Sequence, residues 1–170
     1  MKNLLLLRHA KSSWSNPGLL DFERPLNNRG QSAADQMALY LSKNLPLPDH
    51  VICSTAQRTR ETLNALLKAY AHEMTIDLSR DLYMAPPSVM MGLIHAVPDQ
   101  VETLILISHN PGMEELALSL SKPVHSPAME DMLYKYPTAA CAHLSFEGAN
   151  WTDVRMKSAS LEAFIKPRDI

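Results

Sequence analysis

The chain has 170 residues, 46% of them hydrophobic, which is enough for one sizeable core and predicts a single domain over residues 1–170. Its 16 basic and 18 acidic residues give a formal net charge of -2, which argues against a general affinity for nucleic acid or an anionic membrane. Cys53 and Cys141 are too few for a disulfide framework, and no opening apolar run is long enough for a signal peptide or membrane span. A cytoplasmic location is therefore expected.

The first element is an apolar run at residues 4–7 that ends abruptly in Arg8 and His9. Four consecutive leucines bounded by polar residues predict a short strand buried on both faces, as in the middle of a parallel sheet. In open α/β sheets the ligand crevice lies beyond the carboxyl ends of the strands, so Arg8, His9, Lys11 and Ser12 are expected to open onto it. A merely solvated strand end is the alternative interpretation of an isolated Arg-His pair.

Helices and strands alternate along the next hundred residues. Residues 15–26, which begin with the turn-forming residues SNPG, are predicted to form a loop over the crevice. The patterns then predict a helix over 27–43 with Asn27 as its cap, a strand at 50–53, a helix from 54 to about 70, a strand at 75–78, a helix over 86–96, a strand at 103–107, and a helix over 111–120 with Asn110 as its cap. This alternation predicts an α/β protein with three α/β/α layers and a mostly parallel central sheet.

A second apolar strand ends in Ser108, His109 and Asn110, so two strands present a histidine at the same end of the sheet. Arg58 lies four residues after Ser54 and four before Thr62, which places it on the helix face directed toward the crevice. The amides at the start of the helix after Pro111 favour anions. These residues together indicate an anion site.

The patterns weaken after residue 120. One helical turn is predicted around 129–133. Two strands, at 140–146 and 151–156, are predicted at the sheet edge and joined by a turn at 147–150. The tail over 160–170 is expected to be loosely held.

His9 is the candidate nucleophile, because an imidazole with an unperturbed pKa of about 6.5 offers a free ring-nitrogen lone pair near neutral pH. Its attack on phosphorus would give a phosphohistidine intermediate. Arg8, Arg58 and His109 can neutralise charge on the phosphoryl oxygens, and an arginine fork can hold two of them at once.

Three segments together resemble the histidine phosphatase (phosphoglycerate mutase-like) superfamily, and within it the phosphohistidine phosphatases of the SixA type. They read LRHAKSSW at 7–14, STAQRTRET at 54–62 and ISHNP at 107–111, and Asp21, Arg24-Pro25-Leu26 and Gly30 also fall where that subgroup has them. The similarity spans residues 1 to about 120. It implies a phosphoglycerate mutase-like fold, with His9 as the phosphorylated nucleophile, Arg8 and Arg58 as phosphate ligands, and His109 as a second phosphate contact.

Ser12 and Asn110 are further candidates for substrate binding. The sequence departs from the superfamily pattern at Ala10, where glycine is usual, and no glutamate in the usual setting marks a general acid. Asp81 is the nearest candidate for that acid, and an exposed loop aspartate is the alternative interpretation.

These features predict a metal-independent phosphatase that forms a phosphohistidine intermediate and dephosphorylates phosphohistidine on a signalling protein. No cofactor or metal is expected, because the seven histidines lack metal-ligand spacing and no Gly-rich nucleotide loop is present. Nucleic acid and membrane are not expected as partners. A phosphomonoesterase for small phosphorylated metabolites remains an alternative. So does a non-catalytic phosphate-binding module, although such a module would not need the imidazole of His9.

Overall fold

The structure is a computed structural model that describes all of residues 1–170. Its strands are β1 (Lys2–Arg8), β2 (His50–Ser54), β3 (Thr75–Ser79), β4 (Thr103–Ser108), β5 (Cys141–Phe146) and β6 (Ser160–Ile165). Its helices are α1 (Asn28–Asn44), α2 (Gln57–Ala69), α3 (Pro87–His95), α4 (Gly112–Leu120) and α5 (Pro127–Tyr134). None of the helices is both long and apolar enough to span a membrane.

The six strands form one sheet in the order β3-β2-β4-β1-β5-β6. The first four strands in this order are parallel, β5 pairs antiparallel with β1, and β6 pairs antiparallel with β5 at the edge of the sheet. The predicted mostly parallel sheet is therefore confirmed, and β1 lies inside it between β4 and β5.

The four leucines of β1 supply both faces of the sheet. Leu4 and Leu6 pack into the cluster that contains side chains of α3, α4 and α5, whereas Leu5 and Leu7 pack into the cluster with α1 and α2. All four are at most 1% exposed, and burying a leucine contributes about 1.5–3 kcal/mol. Because alternate residues of a strand face opposite sides, an unbroken leucine run is what a central strand between two helical layers requires. The predicted three-layer α/β/α architecture is confirmed.

The register of β1 against β4 places the two histidine-bearing ends side by side. Arg8 pairs with Ser108, so His9 and His109 each follow the last paired residue of their strand. The helix after β1 packs on one face of the sheet and the helix after β4 on the other. A crevice opens where the connections of neighbouring strands leave in opposite directions.

The start of α1 is held by its cap and by a close backbone approach. Asn27 Oδ1 accepts a hydrogen bond of 2.7 Å from the amide of Gly30, as predicted for the cap. A Cβ on Gly30 would lie 2.0 Å from the carbonyl oxygen of Lys11. Only glycine lets the first turn of α1 lie this close to the segment that follows β1.

The C-terminal part differs from the prediction. Residues predicted as a strand at 151–156 begin with a 3₁₀ turn, Trp151–Asp153, and the partner of β5 is instead β6 in the tail predicted to be loose. The reason is Trp151, which is fully buried and donates its indole N–H to the carbonyl of Val101 at 2.9 Å. Because the side chain of Trp151 is buried in the core, residues 151–156 do not pair with β5, and the connection continues to residue 159.

Smaller differences concern helix ends. The helix predicted from Ser54 starts at Gln57, and the one predicted from Pro111 starts at Gly112, with Pro111 rather than Asn110 in the cap position. Asn110 still stabilises the start of α4, because its Oδ1 accepts a hydrogen bond from the amide of Glu114 at 3.3 Å. The turn predicted around 129–133 is part of the longer α5.

Candidate active site

A cavity of about 520 Å³ opens at the carboxyl ends of β1 and β4. Six of the seven residues predicted for the site line it: Arg8, His9, Ser12, Arg58, His109 and Asn110. The seventh, Asp81, does not. The lining also includes Lys11, Trp14, Asp21, Arg24, Met84, Lys135, Pro137 and Thr138. Five cations thus border the cavity against a single carboxylate, so its field favours an anion.

His9 presents one ring nitrogen to the cavity in a defined state. Its Nδ1 lies 2.7 Å from the carbonyl oxygen of Ala10, which can only accept, so the proton is assigned to Nδ1. Nε2 then carries the lone pair and accepts a hydrogen bond of 3.3 Å from Nε of Arg58. Burial, together with the charges of the nearby arginines, lowers the pKa of His9 to about 3. His9 is therefore neutral near pH 7 and has the protonation state of a nucleophile.

Ala10, where the superfamily usually has glycine, is fully buried. Its amide donates to Oγ1 of Thr62 at 3.0 Å. This bond ties the segment after His9 to the helix that carries Arg58, and the extra methyl group is accommodated.

Arg58 is held in place by Asp21. Its Nη1 donates to the backbone carbonyl of Asp21 at 2.7 Å, and its Nη2 donates to Oδ2 of the same residue at 3.0 Å. Oδ2 also accepts from the hydroxyl of Tyr83 at 2.6 Å. With two of its nitrogens fixed in this way, the guanidinium turns its Nε toward His9.

His109 lies beside His9, with ring centroids 5.1 Å apart. Its Nε2 is 2.8 Å from the hydroxyl oxygen of Ser54, and Nδ1 is buried without a hydrogen-bond partner. Burial and the neighbouring His9 lower the pKa of His109 to about 3. The ring is therefore neutral, and its place beside the nucleophile suits it to contact a phosphoryl oxygen.

Two more of the predicted residues, Arg8 and Asn110, are held by the segment after α5. Arg8 donates from Nη1 to the carbonyl of Tyr136 at 2.7 Å, and Asn110 donates from Nδ2 to the same oxygen at 3.2 Å. Tyr136 is itself buried and donates its hydroxyl to the backbone of β1. Arg8 lines the cavity with its guanidinium, whose Nε is buried without a hydrogen-bond partner.

Arg24 was not predicted for the site, yet it is only 7% exposed and lines the cavity. Its guanidinium bonds to Ser12 Oγ, to the carbonyl of Ser13 at 3.0 Å and to Asp21 Oδ1 at 2.8 Å. The ring of Trp14 covers its outer face, with the centroid 3.2 Å from Cζ. Asp21 and Arg24 were matched to the subgroup pattern, and that match was the only signal for them in an irregular loop.

Carboxyl groups that could donate a proton are scarce. Burial opposes ionisation of Asp21, but hydrogen bonds from Tyr83 and Arg24 and the charge of Arg58 lower its pKa to about 2. Asp81 lies in the exposed 3₁₀ turn Arg80–Leu82, where its amide bonds to Ser79 Oγ at 3.2 Å. No group of three or more His, Cys, Asp or Glu side chains is arranged to hold a metal ion.

Among solved structures, two proteins assigned as the phosphohistidine phosphatase SixA share this architecture. The one from Nakamurella multipartitia superposes with a TM-score of 0.84 at 28% identity, covering 98% of this chain and 96% of its own. The one from Agrobacterium tumefaciens superposes with a TM-score of 0.80 at 29% identity, covering 98% of each chain. The phosphoglycerate mutase-like fold implied by the sequence motifs is thereby confirmed.

Sequence comparison leads to the same family. An uncharacterized protein of Mycobacterium tuberculosis is 36% identical over 167 residues, which is 95% of this chain and 100% of that protein. The model of the histidine phosphatase superfamily (branch 1) matches residues 4–82, a range that contains β1, His9 and the helix of Arg58. The chain therefore belongs to the histidine phosphatase superfamily.

Proposed function

We propose that the protein is a metal-independent phosphatase that forms a phosphohistidine at His9 and removes phosphate from phosphohistidine on a signalling protein. The observation that carries this proposal is the neutral His9, whose Nε2 lone pair faces a cluster of cations. A site that only bound phosphate would need the donors but not the nucleophile.

In the first step, Nε2 of His9 attacks phosphorus while the bond from phosphorus to the substrate nitrogen breaks. The substrate ring enters protonated on its other nitrogen and therefore leaves as neutral imidazole. The phosphoryl group enters between His9 and Arg58, and the Arg58 Nε–H then donates to a phosphoryl oxygen instead of to Nε2. Arg8 and His109 meet the other oxygens from the β1 and β4 ends. The donors are already aimed where charge must be stabilised, so little reorganisation accompanies the reaction.

In the second step, water attacks the phosphorus of phospho-His9, the phosphorus–Nε2 bond breaks, and inorganic phosphate leaves. Nε2 regains its lone pair while Nδ1 keeps the proton that it donates to Ala10. The pKa of about 3 favours this neutral product imidazole over the cation, so the enzyme is ready for another cycle.

The scarcity of carboxylic acids supports phosphohistidine as the substrate. An alkoxide leaving group needs a proton in the transition state, whereas a phosphohistidine ring, whose other nitrogen has a pKa of about 6.5, can arrive protonated and leave as neutral imidazole. The only carboxyl group that lines the cavity, that of Asp21, has a pKa of about 2 and is ionised. Asp81 stands outside the cavity and is dispensable in this proposal.

Short connections around the cavity support a macromolecular substrate. Only residues 55 and 56 separate β2 from α2, and only residues 109–111 separate β4 from α4. The longest connection on this side runs from residue 9 to residue 27, and its Trp14 is 76% exposed. A small metabolite would benefit from enclosure by a closing lid, whereas a protein side chain needs an open entrance.

The test compares kcat/KM for a phosphohistidine-bearing peptide, 3-phosphoglycerate, sugar phosphates and an aryl phosphate, in wild type and in Asp81→Ala. We expect the phosphohistidine peptide to be preferred and Asp81→Ala to change its turnover little. A hundredfold preference for a metabolite ester, with that activity crippled in Asp81→Ala, would instead assign a metabolite phosphatase with Asp81 as the acid. No turnover of any compound would leave a binding module.

A further inference from the structure

Two smaller cavities adjoin the catalytic one. A cavity of about 320 Å³ shares Lys11, Pro137 and Thr138 with it, and another of about 120 Å³ shares Lys135 and Pro137. The three form one continuous surface that leads outward from the nucleophile. We call its outer part, bordered by Lys11, Arg29, Lys135 and Arg168, the basic groove.

Positive charge is concentrated along this surface. Eight of the 16 lysines and arginines of the chain line the three cavities, compared with two of the 18 acidic residues, Asp21 and Asp131. The rest of the molecule therefore carries eight cations and sixteen acids. A protein with a net charge of -2 thus has one strongly positive face, and the active site opens onto it.

Three of the four cations that border the basic groove are free to meet a partner. Lys11, Arg29 and Lys135 are exposed, and none of them takes part in an ion pair or a side-chain hydrogen bond. Arg168 is 69% exposed and lies 3.5 Å from Asp169, whose other oxygen faces the buried Lys166. The nearby Asp131 is also engaged by Lys166.

Arg29 is not explained by the stability of its helix. It lies in the first turn of α1, which contains no acidic residue. The amide ends at a helix N-terminus repel a cation, so an arginine here destabilises the helix slightly. A destabilising charge without a partner in its own chain is better explained by a partner outside it.

We propose that the basic groove binds an acidic face of the protein that carries the phosphohistidine. This inference rests on the proposed function and names the surface that such a substrate presents around its phosphorylated residue. The groove would raise the rate of encounter and orient the substrate, while the cavity performs the chemistry.

A protein partner fits the groove better than a small second anion. A small anion is gripped by buried, converging donors such as those of Arg24 and Arg58, whereas the cations of the groove are exposed and spread over adjoining cavities. Tyr134, which is 82% exposed, lines the groove, and Trp14, which is 76% exposed, lines the adjoining catalytic cavity. Exposed aromatic rings beside arginines are typical of protein interfaces.

The test uses two synthetic peptides of equal length with one central phosphohistidine, flanked either by aspartate and glutamate or by serine and glutamine. The measured quantity is the ratio of their kcat/KM values, which cancels any change common to both. It is determined for wild type, for Arg29→Glu/Arg168→Glu, and for the control Lys68→Glu/Arg155→Glu. The control reverses two exposed cations that line none of the three cavities, and it changes the net charge equally.

We expect wild type and control to prefer the acidic peptide by about tenfold or more at low salt, and this preference to shrink at 0.2 M salt. In Arg29→Glu/Arg168→Glu the preference should disappear. Equal turnover of both peptides by wild type, or survival of the preference in Arg29→Glu/Arg168→Glu, would overturn the proposal. A glutamate at position 29 suits the helix N-terminus, so we expect this variant to fold.

A binding measurement separates this inference from the proposed function. The unphosphorylated acidic peptide, fluorescently labelled, is titrated with the same three proteins and its anisotropy recorded. Binding that requires Arg29 and Arg168 supports the groove even if neither phosphopeptide is hydrolysed, in which case only the substrate chemistry is wrong. Inorganic pyrophosphate is the competing probe, and tighter binding of pyrophosphate that depends on Arg29 and Arg168 would show a small-anion site instead and refute the groove.

Discussion

Asp21→Asn should separate the orientation of the arginines from their charge. Asp21 accepts hydrogen bonds from Arg24, Arg58 and Tyr83, so the amide, which keeps only one acceptor oxygen on its side chain, can satisfy them only in part. The bond from Arg58 Nη1 to the backbone carbonyl of residue 21 survives the substitution. The side-chain anchor of the Arg58 fork is therefore weakened, because one uncharged oxygen replaces the two carboxylate oxygens that served three donors.

The magnitude follows from this partial loss. Removing one preorganised donor from an active site costs about 2.7–4 kcal/mol in the transition state. Because Arg58 remains but is less well oriented, we expect roughly half of that cost, or about a 10- to 30-fold fall in kcat/KM. The side chain of Asp21 is 46% exposed, so the free energy of unfolding should change by about 1 kcal/mol or less.

Steady-state kinetics with the phosphohistidine peptide and urea unfolding measure the two quantities on the same preparation. Asp35→Asn is the matched control, because Asp35 is an exposed aspartate on α1 that accepts a single side-chain hydrogen bond, from Gln31, and does not line the cavity. A kcat/KM within threefold of wild type in Asp21→Asn would refute the view that this carboxylate orients Arg58. A loss of stability of several kcal/mol would show that Asp21 holds the fold rather than the site.

Four further changes test the nucleophile, the phosphate grip, the protonation states and the absence of a metal. His9→Ala should retain less than about a hundredth of the activity and lose the acid-labile phosphate trapped on wild type, as seen by autoradiography. Arg58→Lys should be strongly impaired, since the point charge of lysine cannot hold two phosphoryl oxygens as a guanidinium does. Near-normal kinetics would exclude this two-oxygen contact. The folded-state pKa of about 3 for both histidines lies below the unfolded value of about 6.5, so the folded protein binds fewer protons. Stability should therefore be full above about pH 6.5 and fall toward pH 3, by at most about 1.4 kcal/mol per pH unit for each histidine, and His109→Ala should flatten that slope in urea titrations. A metal chelator should leave kcat unchanged, and strong inhibition by it would contradict the metal-free mechanism.

Burial and periodicity made the centre of the fold predictable. The leucine run of β1 and the apolar residues of β4 could be assigned as inner strands. A run of buried side chains this short is typical of a strand with helices on both faces and is too short for a buried helix. Once these two strands were parallel neighbours, the residues that follow them had to meet. His9, His109 and their flanking residues were therefore accessible to reasoning from the sequence.

The periphery was less predictable because its structure depends on distant contacts. The strand β6 carries no clean alternation of burial, and only its pairing with β5 identifies it. Trp151 resembles a strand residue by its type, yet its indole is drawn into the core by the carbonyl of Val101. The positioning role of Asp21 likewise depends on partners far along the chain, such as Tyr83.

The packing of the core and the chemistry of the cavity are linked through one strand register. The pairing of Leu7 with Ile107 and of Arg8 with Ser108 keeps the leucines facing the two helical layers and also sets His9 beside His109. A slip of one residue would carry Asn3 or Arg8 into a position that a leucine now fills, so the burial of apolar surface favours this register. The same burial lowers both histidine pKa values and leaves a nucleophilic lone pair near neutral pH. Substitutions that loosen the leucine layer should therefore reduce activity through the separation of the histidines as well as through stability.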